Sequence, residues 1–240
     1  MKKKLFILIV FLITTSVFSH EYILLAYDFF VKKGEKLELH LFVADGFNIE
    51  AERPFQESMT KNFELISENG KTNFLDFVKD GDLPILEIDV DFEGLGLIHM
   101  QREYARITMT NEKFISYLKA DNIENIKIDD STKTEQTERY TRYIKTLIQS
   151  DIKPNDDLYS KEVGHVFEIV LLQNPYSLSK DDWIQAKILF NGKPLKNKAI
   201  TARNRIGNEA ATYQYSKTDN DGICSFKLER GGEWYILQHI

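Results

Sequence analysis

The sequence predicts an all-β protein of two β-sandwich domains with one short helix in the first, and three observations carry that expectation. Apolar residues recur with a period of two in many short runs, clusters of Gly, Asn, Asp and Pro separate the runs, and a helical period is clear in only one stretch. In "GEKLELHLFVADGF", Leu37, Leu39, Leu41 and Val43 fall on one face and Glu38, His40 and Phe42 on the other, the pattern of a half-buried strand. Comparable runs are "YILLAYDFFV", "LPILEIDVDF", "GLGLIHMQ", "YARITMT", "HVFEIVLLQ", "DWIQAKILF", "KAITARN", "GICSFKL" and "EWYILQHI".

The helix is expected near residues 111–121, in "TNEKFISYLKADNI". There Thr110 or Asn111 can cap, and Phe114, Tyr117 and Leu118 share a face. The stretch "STKTEQTERYTRYIKTLIQ" reads as a polar loop or short turn to about Glu138 and then as a strand. A join is placed at 151–164, where "DIKPNDDLYSKEVG" is polar, contains Pro154 and has no apolar period. This divides the chain into a first domain, 20–150, and a second, 165–240.

Ahead of both domains stands a leader. Lys2, Lys3 and Lys4 precede the apolar "LFILIVFLITTSV", which has the length of a signal-peptide core and is too short to span a membrane. Cleavage after Ser19 would export the chain to the periplasm and leave His20 as its first residue. The whole chain has 31 basic and 37 acidic side chains, and loss of the three leader lysines makes the mature balance more negative. Nucleic acid and anionic membrane surfaces are therefore poor partners, and no insertion of the mature chain into a membrane is expected. Cys224 is the single cysteine, so no internal disulfide forms; it alternates with Ser225 and Lys227 and shares a face with Phe226 and Leu228, which predicts a buried thiol.

In the second domain, "LFNGKPLKNKAITA" reads as strand, tight Asn-Gly turn, short bridge and another strand, and "KTDNDGICSFKL" as an acidic turn opening a strand. This grammar resembles the small transthyretin-like or carboxypeptidase-regulatory β-sandwich, within the broader immunoglobulin-like class. "DNDG" lacks the length and the closing Glu of a calcium loop and reads as a structural turn.

Taken in order, "SHEYILLAYDFFVKKGEKLELHLFVADGF", "HMQREYARITMTNEKFISYLKADNIENI", "ERYTRYIKTLIQ" and the tail from "GHVFEIVLLQNPYSLSKDDWIQAKILFNGKPLKNKAITA" through "TDNDGICSF" to "GEWYILQHI" resemble exported bacterial proteins classed under domain of unknown function 4198. Some of those accompany nickel or cobalt uptake systems. The resemblance implies a periplasmic, non-catalytic β-protein with an amino-terminal histidine, and a membrane metal transporter as a partner. Two departures stand out. Members usually continue past the tryptophan strand, whereas this sequence ends at Ile240, and Ala44-Asp45-Gly46-Phe47 stands where a histidine-bearing turn is expected.

The chemistry of the residues also points to a transition metal. A free α-amine titrates near about 7.7–8.0 and an imidazole near about 6.5, so both can yield a proton to a divalent ion near neutral pH. A first-position histidine closes a chelate ring with its own amine and Nδ1. The expected ligands are therefore His20, with His239 or His99 adding nitrogen and Glu21 or Asp45 oxygen. Nickel or cobalt is favoured by the resemblance, while copper or zinc suits the same donors. His40 and His165 read as ordinary surface or interlayer histidines. No His-Glu-x-x-His, paired Cys-x-x-Cys, nucleophile elbow, phosphate loop or dinucleotide fingerprint occurs, so no enzyme is indicated. Two alternatives are a cell-envelope binding or adhesion module using Tyr176, Trp183, Tyr213 and Tyr215, and a copper oxidase built on the amino-terminal histidine.

Overall fold

A computed structural model describes residues 21–120, 123, 126, 128, 134–153 and 156–238. Strand dominates. In chain order the strands are β1 (Glu21–Ala26), β2 (Lys36–Asp45), β3 (Asn48–Arg53), β4 (Thr60–Ser67), β5 (Gly70–Asn73), β6 (Leu86–Asp89), β7 (Gly94–Arg102) and β8 (Ala105–Thr110). After the helix α1 (Asn111–Ala120) come β9 (Glu135–Tyr140), β10 (Tyr143–Ser150), β11 (Phe167–Leu171), β12 (Trp183–Phe190), β13 (Lys193–Pro194), β14 (Ala199–Arg205), β15 (Thr212–Lys217), β16 (Ile223–Lys227) and β17 (Glu233–Leu237). Among the described residues no helix is long and apolar enough to cross a membrane.

By its internal contacts the chain separates into two compact units. The smaller, within Met109–Gln136, contains α1. Thr110 Oγ1 accepts a hydrogen bond from Lys113 N at 3.4 Å, which caps the first turn, and Phe114 and Leu118 are buried on one face as their spacing predicts.

Among the described residues the larger unit holds four sheets besides the start of the β8–β9 pair. β2 pairs antiparallel with β1, β3 and β6; β10, β7, β4 and β5 pair in that order; β12 pairs with β11, β13 and β16; and β14 lies between β15 and β17. Leu37, Leu39 and Leu41 of β2 are fully buried in one core with Phe63 and Leu65 of β4, Ile98 and Met100 of β7, and Ile148 of β10. A second core gathers Ile184, Ala186 and Ile188 of β12, Ile200 and Ala202 of β14, and Cys224 and Phe226 of β16. Burial raises the Cys224 thiol to about 11, so it is protonated and inert at neutral pH. The predicted hairpin turn is present: Asn191 and Gly192 both have positive φ, 50° and 69°, between the paired ends of β12 and β13. Asp219 Oδ1 accepts from Asp221 N and Ile223 N, so "DNDG" is held as a structural turn.

The observed elements extend the expected set. β3, β4, β5, β13 and β15 were not anticipated as strands. The loop expected up to Glu138 is instead strand from Glu135, broken at Thr141 and Arg142. β9 is exposed on alternate residues and pairs with β8, with Thr108 Oγ1 and Thr137 Oγ1 2.8 Å apart, so pairing rather than burial defines it. The stretch expected as a join is also hydrogen-bonded. Asp156 Oδ2 accepts from Leu95 N at 2.6 Å, and Lys153 pairs with Glu68.

One glycine offers a sharp test of this packing. Gly232 has φ +93°, and a Cβ there would stand 2.2 Å from the Arg205 carbonyl oxygen, whereas Gly34, at φ +86°, has nothing within 4 Å. Both alanine variants carry backbone strain, so Gly232→Ala is expected to cost about 1–3 kcal/mol more than Gly34→Ala in urea unfolding. Equal losses would show that β14 and β17 separate freely.

Candidate functional site

Two polar clusters concern the expected ligands. The first forms where β1 begins. Glu21 is paired in register with Ala44, and Asp45 follows at the end of β2. Facing them from β14 and β17 are Arg203 and Tyr235: Arg203 Nη2 lies 2.6 Å from Glu21 Oε1, Arg203 Nη1 lies 3.7 Å from Asp45 Oδ1, and Tyr235 OH donates to Glu21 Oε2 at 2.6 Å. Burial, with the Glu21 charge beside it, raises the Tyr235 hydroxyl above its ordinary value, so it remains a donor. Gly46 is favoured by its backbone, with φ +66°, and a Cβ there would also displace the Arg203 guanidinium, whose Nη1 would stand 2.5 Å away. Phe47 completes the corner, with its ring 4.8 Å from Tyr235 and the Arg205 guanidinium 4.7 Å from its centroid.

These contacts decide what each oxygen can do. Both Glu21 oxygens already meet strong donors, so a cation bound there would compete with a guanidinium. Glu21 therefore fits the role of an anchor for the head of β1 better than that of a ligand. Asp45 is more open and lies at a longer distance from Arg203, so its carboxylate fits a ligand role. His20 and His239 lie outside the described residues.

The second cluster surrounds His99. On β7, Ile98 and Met100 point into the first core, so His99 points to the opposite side of the sheet. Its cross-strand partners there are Lys145 of β10 and Glu64 of β4. That face is covered by the chain leading into β11, which brings His165 and Glu168. Lys145 pairs with Glu168, which also accepts from Val163 N at 2.6 Å and Gly164 N at 3.0 Å; Lys145 Nζ donates to the Lys161 and Ile169 carbonyls as well. Burial pushes the Glu168 carboxyl upward, but the hydrogen bonds from Lys145 and Val163 outweigh it and hold the group below its ordinary value.

The two histidines are almost wholly enclosed, His99 at 3 % and His165 at 7 % exposure, with ring centroids 5.2 Å apart. Tyr143 packs on His165 at 5.1 Å. Burial lowers the His165 pKa to about 4, with His99 and Lys145 adding to the shift. Burial also lowers His99, against the opposing attraction of Glu64. Burial raises the Glu64 carboxyl, but Asn62, Lys71 and His99 together bring it below the ordinary value. His99 Nδ1 and Nε2 and His165 Nε2 have no hydrogen-bond partner among the described residues.

The structure thus brings Glu21 and Asp45 together through Arg203 and sets His99 in a different sheet among Glu64, His165 and Lys145. Among the described residues no three His, Cys, Asp or Glu side chains stand preassembled around a metal position. Arg203, Tyr235, Glu64 and the Lys145–Glu168 pair were not singled out from the sequence. A signal existed for Arg203: "KAITARN" puts Thr201 and Arg203 opposite Ile200 and Ala202, and a half-buried arginine on a strand face requires an acidic partner.

No curated protein and no solved structure matches the chain. A family does match, over residues 17–239, under the description "Domain of unknown function (DUF4198)". That span covers both polar clusters and nearly the whole sequence, so the chain belongs to the DUF4198 family.

Proposed function

We propose that the protein is an exported, non-catalytic binding protein for a divalent transition-metal ion, nickel or cobalt, and that it presents the ion to a membrane uptake system. Removal of the leader after Ser19 would free the His20 amine beside its own imidazole, with Asp45 supplying an oxygen and His239 a further nitrogen. The observation that supports this reading is the anchoring of Glu21. The residue directly after His20 is clamped by Arg203 and Tyr235 at a corner that also holds Asp45. Clamping lowers the ordering cost of a chelate built on the preceding residue. When bound, the ion would supply only a coordination centre; the chain's own part is to hold the donors and keep Glu21 occupied by Arg203.

The two cores, each shared between facing β-elements, favour two sandwiches, immunoglobulin-like and then transthyretin-like, joined at 151–164. A second reading, an envelope binding module, is favoured by exposed aromatics: Trp183, Tyr213 and Tyr215 are 58 %, 63 % and 72 % exposed.

One inserted alanine before His20 separates these readings. Isothermal titration of the processed protein with nickel is expected to show at least a tenfold loss of affinity in the extended form, because the amine and imidazole no longer belong to one residue. Equal affinity would remove the amine from the site and leave the binding module as the better account.

A further inference from the structure

The geometry points to a second, internal metal site, in which His99, His165 and Glu64 bind a divalent d-block cation of zinc or cobalt type. His99 would then belong to this site rather than to a centre at the amino terminus.

The first argument is unpaired nitrogen. Leaving a buried polar atom without a hydrogen bond costs about 1–3 kcal/mol, and three such ring nitrogens lie on these two packed rings. Imidazole is itself the commonest side-chain ligand for such ions.

The second argument is a distance. His99 Nε2 lies 3.2 Å from Glu64 Oε2, yet makes no hydrogen bond with it. Two ligand atoms about 2.0–2.1 Å from a tetrahedral ion stand about 3.3 Å from each other, so this pair already has the separation of neighbouring ligands. Glu64 Oε1 is fixed by Asn62 Nδ2 at 2.9 Å, and Oε2, which faces the histidine, also accepts a long hydrogen bond of 3.5 Å from Lys71 Nζ, a contact the ion would replace.

His165 supplies the third donor by rotation. Its ring lies against His99 at 5.2 Å between centroids, and a change of rotamer moves a ring nitrogen by a comparable distance. This step accounts for the absence of a preassembled trio. Charge also permits the ion. Lys145 is neutralised by Glu168, and the cation facing Glu64, Lys71, is a mostly exposed side chain 3.5 Å away that can swing into solvent. Glu64 is partly exposed and gives the ion its way in. Two nitrogens, one oxygen and a water complete a four-coordinate site.

The test uses the exported protein with alanine inserted before His20, stripped by chelator, so that the amino-terminal chelate does not contribute. Titration with cobalt(II) is expected to give one equivalent with the strong visible absorption of a four-coordinate ion, and zinc is expected to displace it. His99→Gln and His165→Gln are each expected to weaken binding at least 100-fold, and Glu64→Gln about tenfold. Near-ultraviolet circular dichroism of the metal-free variants checks the fold, and Glu64→Gln, at a partly exposed position, keeps the test decisive if a histidine variant misfolds. As a second readout, histidine ring ¹⁵N shifts are expected to move at His99 and His165 on addition of zinc. No cobalt taken up by the alanine-extended protein, or the same spectrum and affinity in His165→Gln or Glu64→Gln, overturns the inference. Binding lost only through the inserted alanine would uphold the amino-terminal reading and refute this one; binding unaffected by the alanine but lost in the variants would do the reverse.

Discussion

Glu168→Gln is expected to destabilise the protein by about 3–5 kcal/mol, because it leaves a buried ammonium without its counter-charge. The Glu168 side chain is 2 % exposed and that of Lys145 15 %. Glutamine keeps the shape, but its single amide oxygen replaces only one of the two carboxylate oxygens that accept from the Val163 and Gly164 amides, so the loss reports the charge together with one backbone hydrogen bond rather than packing. Burial already lowers Lys145, and Glu168 is the main influence opposing that shift. The double variant Lys145→Met with Glu168→Gln is expected to recover much of the loss, since no unpaired charge remains. Urea unfolding of the four proteins in the cycle gives the result. A single-variant loss below about 1 kcal/mol would mean that Lys145 escapes to water, and would remove the pair from the account of how the chain before β11 is held on the sheet.

Acidification of the metal-free protein is expected to give the second large effect. His165 titrates near about 4 in the folded state, against about 6.5 when unfolded. As pH falls through 6.5 the unfolded chain takes up the proton first, so stability is full above that value and declines until about pH 4. At 1.36 kcal/mol per unit, the decline is on the order of 3 kcal/mol. His99 is shifted in the same direction, while Lys145, Glu168 and Glu64 provide the fixed charges facing the pair. Glu168 and Glu64 are lowered carboxylates, whose contribution is lost at lower pH, below the ordinary carboxylate value. Comparing urea midpoints at pH 7.5 and 4.5 for the native protein and His165→Gln isolates the histidine. Similar midpoint shifts in both would show that His165 is solvated.

What could be read from the sequence was local. Alternation placed Leu37, Leu39 and Leu41 in the core, helical spacing located α1, and the Asn-Gly pair located a hairpin. β4 has the same alternation, with Phe63 and Leu65 inward, but short turns and charged neighbours surround it and obscured it. β7 was legible as a strand in "GLGLIHMQ", but not the covering of both its faces, one by the core and one by the chain before β11. The polar clusters were harder still. His99 meets His165 across 66 positions, and Glu21 meets Arg203 across 182, so no short motif encodes either encounter.

The Tyr235–Glu21 hydrogen bond spans 214 positions and has a consequence for biogenesis. A polypeptide emerging amino end first presents Glu21 long before Arg203 or Tyr235 exists outside the machinery that delivers it. The first strand therefore cannot gain these two contacts until the chain has followed it as far as Tyr235, so β1 is locked in place late although it is made before every strand it depends on.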